Sequence, residues 1–173
     1  AAIESGEAGV AYHRQVGPLV LTARSVFFRT HVDRDLVFSE TVGRNVLSGG
    51  TTRTGWIGSV RATSDHFDSA LGATLVRSSF DETNRLVPYV PDVVLRDDTS
   101  ASIIAPAVFG HDLRIIMGGA LTWVGRRALP YGERSNDILT LDLSLTFKML
   151  EYQLGLSATN VFDTQYRLGE YNY

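Results

Sequence analysis

The sequence predicts an all-β protein, an antiparallel transmembrane β-barrel meander of about eight strands. Three observations predict it. Apolar and polar residues alternate with period two along nearly every ordered-looking segment, so each strand has one greasy side and one wet side. The segments run roughly 10 to 14 residues, longer than the soluble average of about 5 to 6 and close to the ~9 to 11 of a tilted membrane-crossing strand. Short links between segments also alternate with long ones, as in a barrel with turns at one rim and loops at the other.

In chain order, the first strand is weakly marked by Val10 and Tyr12. The second places Leu19, Leu21 and Ala23 on odd positions but Val26 and Phe28 on even ones; a bulge near Arg24 and Ser25, or a slip in the face assignment, accounts for the change. Trp56, Val60 and Ala62 mark the third, and Phe67, Leu71, Ala73 and Leu75 the fourth, opposite Asp68, Gly72 and Thr74. Ile103, Ala105, Ala107 and Phe109 form the fifth face; Leu113, Ile115, Met117, Leu121 and Trp123 form the sixth. The clearest strand is the seventh, where Leu139, Leu141, Leu143, Leu145, Phe147 and Met149 oppose Thr140, Asp142, Ser144, Thr146 and Lys148. Tyr152, Leu154, Leu156 and Ala158 make the eighth.

The short links are Gln15-Val16-Gly17-Pro18, Ser64-Asp65, Gly110-His111 and the join near Leu150; the long ones are Asp33 to Gly50, Ser79 to Asp98 and Gly125 to Asn136. Tyr12, Trp56, Phe67, Trp123, Phe147, Tyr152 and Phe162 are placed toward strand ends, where a girdle of amphipathic rings is expected, although core aromatics give the same pattern. Asp68, Asp142, Lys148 and Glu151 all fall on polar faces, and Arg77, which shares a face with Leu75, is near a strand end where it can snorkel.

Composition narrows the function. The 173 residues carry a net charge of −3, with 44% hydrophobic and 20% charged residues and no cysteine. Disorder, disulfide scaffolds, thiol nucleophiles and Cys-based zinc sites are thereby excluded. The longest apolar stretch, Ile103 to Gly110, is interrupted by Pro106 and falls far short of the roughly 18 residues of a membrane helix. A pI near 5.8 with mixed charges speaks against a nucleic-acid partner. Ala1-Ala2-Ile3-Glu4-Ser5 has neither the basic start nor the apolar core of a signal peptide, so the chain is expected to be cytosolic, already processed, or cut from something longer.

The tail carries a resemblance. Gly155-Leu156-Ser157-Ala158-Thr159-Asn160-Val161-Phe162-Asp163, followed by Tyr166-Arg167, resembles the penultimate-strand motif of TonB-dependent outer-membrane receptors, which typically reads NLFD or NVFD with a Tyr soon after. Asn136-Asp137-Ile138-Leu139-Thr140-Leu141-Asp142 is similar to the preceding strand of that barrel, and Pro88-Tyr89-Val90-Pro91 to the end of an extracellular loop. Arg53-Thr54-Gly55-Trp56-Ile57-Gly58 resembles a recurrent strand opening, with Trp-Ile where the family has Val-Glu. The resemblance implies that residues 1–173 are the C-terminal portion of a barrel of about 22 strands, lacking the plug domain and the final strand, since the chain stops at Tyr171-Asn172-Tyr173. It implies short turns in the periplasm, long loops outside the cell, and residence in the outer membrane of a Gram-negative bacterium. Function would be TonB-dependent uptake of a scarce solute: a siderophore, cobalamin or an oligosaccharide. The partners implied are outer-membrane lipid, that solute, and the TonB–ExbB–ExbD complex acting through the absent plug.

Enzyme chemistry is not expected. His13, His31, His66 and His111 lack metal spacing, and Gly49-Gly50-Thr51-Thr52-Arg53-Thr54-Gly55 lacks the Gly-Lys-Ser/Thr ending of a phosphate loop. Asp33/Asp35 and Asp97/Asp98 read as solvated loop charge, with cation binding as the alternative; no Gly-x-Ser-x-Gly elbow occurs, Asp163 is expected to shape a turn, and no cofactor is expected. Arg85, Tyr89, Tyr131 and Arg134 lie in the expected outer loops with polar or aromatic reach and are the candidate solute contacts, alongside the plainer reading of ordinary loop residues. The alternative is a self-contained small β-barrel or β-sandwich binding a ligand or partner, which should stay monomeric without detergent.

Overall fold

The computed structural model of the chain describes residues 2–39 and 42–166. The strands are β1 (Ile3–Val16), β2 (Leu19–Val32), β3 (Leu36–Ser39), β4 (Arg44–Leu47), β5 (Thr51–Thr63), β6 (Phe67–Phe80), β7 (Val93–Val108), β8 (His111–Val124), β9 (Ile138–Met149) and β10 (Tyr152–Ala158), with one 3-10 turn at Pro130–Gly132. β3 and β4 pair only with each other. The other eight form one antiparallel sheet in sequential order, open because its edge strands β1 and β10 do not pair. No helix among the described residues is long and apolar enough to cross a membrane, which leaves strands unaddressed. The expected absence of a final strand concerns residues 167–173, outside the described residues.

All four short links join strands at one end of the sheet, and all three long ones lie at the other. Val16 pairs with Leu19, leaving Gly17 and Pro18 as a two-residue loop in which Gly17 takes the positive φ (59°) that the turn demands and Pro18 supplies a fixed negative one. Two boundaries and two aromatic positions differ from expectation. β6 runs on to Phe80 and β7 begins at Val93, so Val93–Asp98 belongs to a strand and the connection shrinks to residues 81–92. Tyr12 and Trp56 sit several residues inside their strands rather than at the ends.

The expected bulge at Arg24 and Ser25 is absent. β2 keeps unbroken register with both neighbours, and the irregularity falls between Ala105 and Val108 instead, where Pro106 has no N–H to donate. The phase change in β2 has another cause. Val26 and Phe28 lie on the more polar face, each directly opposite a glycine: Val26 packs over Gly9, and Phe28 over Gly55. The missing Cβ of each glycine makes room for the side chain across from it. The greasy series on the other face continues through Phe27.

Residues paired across antiparallel strands share a face, so the registers define rows. One row reads Tyr12, Ala23, Val60, Leu71, Asp97, Leu121, Leu141 across seven strands. The next toward the short turns holds Arg14, Leu21, Ala62, Ser69, Thr99, Gly119 and Leu143. This apolar face also carries every leucine of β9. On the other face Arg61 forks onto Asp68 (2.9 and 3.1 Å) and Arg96 onto Asp98 (2.6 and 2.9 Å).

Among the described residues nothing covers either face: every contact between strands is with a hydrogen-bonded neighbour, and no second layer packs on the sheet. Val26, Val87, Leu129 and Ile138 are the buried apolar side chains among the described residues. The chain exposes 11958 Å², whereas a globular monomer of its mass exposes about 8,400 Å². Phe27, Leu71, Leu143 and Leu154 are among the apolar side chains left open. Such a surface requires a cover, because apolar area in water costs about 25 cal/mol per Å².

Candidate functional site

The two long connections after β6 and β8 fold toward each other above the sheet. In the first, residues 81–84 turn tightly, with Asn84 N–H donating to Phe80 O (2.8 Å) and Phe80 N–H to Arg85 O (2.9 Å). Leu86 then bridges back to Ser79, Val87 donates to Ser78 O (2.9 Å), and the Val87 side chain is buried. In the second, Ala128 pairs with Arg134 around the Pro130–Gly132 turn, and Ser135 Oγ accepts from Arg127 N–H at 2.9 Å. The two connections are stitched by Tyr89 N–H donating to Ala128 O (2.8 Å) and by the Pro91–Arg127 bridge.

Between them lies a cavity of about 580 Å³ with walls from Phe80, Leu86, Pro88, Leu129 and Pro130 and with Arg85, Glu133 and Arg134 at its polar side. Arg85 and Arg134, 49 positions apart in sequence (134 − 85), thus line one cavity. The Arg85 guanidinium has no hydrogen bond or ion pair among the described residues, and Arg134 Nη1 reaches only Asp92 Oδ2, at 3.7 Å. Tyr89 does not line the cavity; its backbone, at φ 66°, holds the two loops together. Tyr131 sits in the 3-10 turn between lining residues Pro130 and Gly132, and its side chain is outside the described set. Phe80, Leu129 and Glu133 were not flagged by the sequence, because only the folding of one loop over the other gives them a shared cavity.

A second cluster fixes the connection between β2 and β5 to the sheet. Asp35 accepts from Thr51 Oγ1 and from Arg53 Nη2, both at 2.8 Å. His31 lies between Asp33 (3.2 Å from Nε2) and Asp81 (3.3 Å from Nδ1), and Asp81 accepts from Thr52 Oγ1 at 2.6 Å. Asp33 and Asp35 therefore serve protein partners. Asp98 pairs with Arg96, and Asp97 lies 3.0 Å from Thr99 Oγ1 and 3.5 Å from Ser69 Oγ. No group of three or more His, Asp or Glu among the described residues is placed to hold a metal ion.

In the tail, Asn160 Nδ2 donates to Thr164 O and Asn160 Oδ1 accepts from Thr164 N–H, each at 3.1 Å. Asn160 N–H donates to Asp142 Oδ1 (2.7 Å), and Asp163 turns the chain at φ 50°. The Asn-Val-Phe-Asp sequence is a strand-ending clasp that ties the end of β10 to β9. No protein-family model, no curated protein and no solved structure matches the chain.

Proposed function

We propose that the chain is the C-terminal part of a transmembrane β-barrel receptor of the TonB-dependent kind, taking up a scarce solute through a Gram-negative outer membrane. The observation that carries this reading is the uncovered apolar face on an eight-stranded antiparallel sheet, seven of whose strands are long, combined with loops of unequal length sorted to opposite ends. Hydrocarbon covers such a face without a second protein layer. Further strands on the open edges of β1 and β10 would satisfy their unpaired backbone and complete the barrel. The thin core and open edges weigh against a self-contained soluble barrel or sandwich.

In this reading the long loops face outward, and the cavity holding Arg85 and Arg134 captures the solute in a binding step, not a chemical one. The test is uptake of labelled ferric siderophore, cobalamin and maltooligosaccharide by cells carrying the receptor, with and without TonB. Saturable uptake of one solute that disappears without TonB is expected. Arg85→Glu with Arg134→Glu should lower it by about tenfold or more, since each lost charge-assisted hydrogen bond is worth about 1.5–3 kcal/mol. Recovery of the protein in the soluble fraction would overturn the proposal.

Among the charged residues on the apolar face, Asp97 is the one set between Leu71 and Leu121, with Arg14 nearer the short turns and Glu4, Arg29 and Arg77 nearer the long loops, and it yields a separate prediction. A carboxylate facing lipid is costly, though less so than Arg or Lys, and the Thr99 and Ser69 hydroxyls beside it soften that cost. Asp97→Leu is expected to stabilise the protein in lipid vesicles by about 1 kcal/mol, measured by urea unfolding. On a face that meets water the same change gives no gain.

A further inference from the structure

At the long-loop end of the apolar face, the register sets Arg29, Thr54 and Arg77 side by side on β2, β5 and β6. Each lies three residues from the end of its strand. With neighbouring strands about 4.8 Å apart, the two arginine backbones stand about 10 Å from each other, a span that two guanidiniums close around one phosphate. Both side chains are exposed, and neither has a hydrogen bond or ion pair among the described residues. Gly6, opposite Arg29, leaves the space beside it open. The nearest carboxylate on this face is Glu4, one row further from the apolar band and opposite His31; Asp33 and Asp81 are engaged with His31.

Directly below comes the row of Phe27, Trp56 and Leu75, and below that a groove of about 520 Å³. The groove exists because Ser25, Gly58 and Ala73 are small and adjacent, flanked by the larger Tyr12, Val60 and Leu71. The Trp56 ring lies along the sheet over Gly58, held by its N–H donating to Ser25 Oγ at 2.7 Å. A Cβ on Gly58 would stand 2.3 Å from that ring, so the glycine keeps the indole flat and the groove open.

We propose that this end of the apolar face binds a lipid whose headgroup ends in an anionic phosphate monoester: the phosphate bridges Arg29 and Arg77 beside the Thr54 hydroxyl, and an acyl chain runs over Phe27 and Trp56 into the groove at Gly58. Charge complementarity selects the headgroup, and the groove one row beyond the Phe27–Trp56–Leu75 row selects a chain attached to it, so free phosphate is a poor substitute. The inference rests on the membrane reading above. Such a lipid would anchor the barrel at the outer edge of the hydrocarbon, where basic side chains meet anionic headgroups.

The test is native mass spectrometry of the detergent-purified protein with phosphatidic acid, with phosphatidylcholine of the same chains, and with inorganic phosphate. Preferential retention of phosphatidic acid is expected, with an affinity loss of about tenfold for Arg29→Gln with Arg77→Gln. Ala73→Phe, which fills the groove, should weaken long-chain phosphatidic acid while leaving the circular dichroism spectrum unchanged. Equal retention by wild type and the double variant, or tighter binding of inorganic phosphate than of the lipid, overturns the inference. A spin label on Leu143→Cys, at the far side of the same face, separates the two failures. Oxygen access there with no effect of the arginine changes rejects this site alone, and no oxygen access rejects the membrane reading beneath it.

Discussion

Leu143→Arg is expected to destabilise the protein folded in lipid vesicles by about 2–4 kcal/mol, the cost of a guanidinium facing mid-bilayer hydrocarbon. Leu143 lies near the middle of the apolar face, in the row with Gly119 and Ala158, and its side chain is uncovered. One residue along, Ser144 points to the other face, near Asp98 and Asp142. Ser144→Arg is therefore expected to change stability by less than about 0.5 kcal/mol. Urea titration in vesicles measures both. Adjacent positions with opposite responses are a signature of period-two exposure to lipid; equal responses contradict it.

The second large effect concerns backbone approach. Gly55→Val is expected to cost about 2–3 kcal/mol by overpacking. A Cβ there would stand 2.4 Å from the Leu75 carbonyl oxygen and 2.7 Å from the Phe28 ring, and the carbonyl belongs to a sheet that cannot yield. Gly6→Val, with nothing within 4 Å of its Cβ position, is instead expected to be neutral or to gain up to about 1 kcal/mol from strand propensity. The same titration distinguishes them, and a Gly55→Val protein as stable as wild type would remove the packing account of the β2 phase change. Phe28→Ala in the Gly55→Val background should recover part of the loss, because it frees one of the two obstructing groups.

Much of the architecture was legible because it is local. The alternation in β9 and β10 needs no tertiary knowledge, and the link lengths placed the sheet's two ends. What was hidden depends on pairing. Asp97 read as loop because Asp97-Asp98 looks polar, yet the register sets it between Leu71 and Leu121 in mid-face. Val26 and Phe28 suggested a bulge because their glycine counterparts, Gly9 and Gly55, are 17 and 27 positions away (26 − 9 and 55 − 28). A bulge there would set Arg29 on the opposite face from Arg77; the unbroken register instead puts the two in one row. At the candidate site, Arg85 and Arg134 were legible as loop cations, but their common cavity arises from the Tyr89–Ala128 and Pro91–Arg127 links, which no local pattern announces.

The account depends on what lies against the odd-numbered side chains of β9. The chain has no native cysteine, so single cysteines at each position from Leu139 to Phe147 can be spin-labelled without background, and their collisions with oxygen and with a water-soluble nickel chelate measured in lipid vesicles. The account predicts a two-residue oscillation: positions 139, 141, 143, 145 and 147 open to oxygen and shielded from nickel, and positions 140, 142, 144 and 146 the reverse. Odd positions closed to both reagents, as under a covering sheet or helix, or open to nickel as in water, would contradict it.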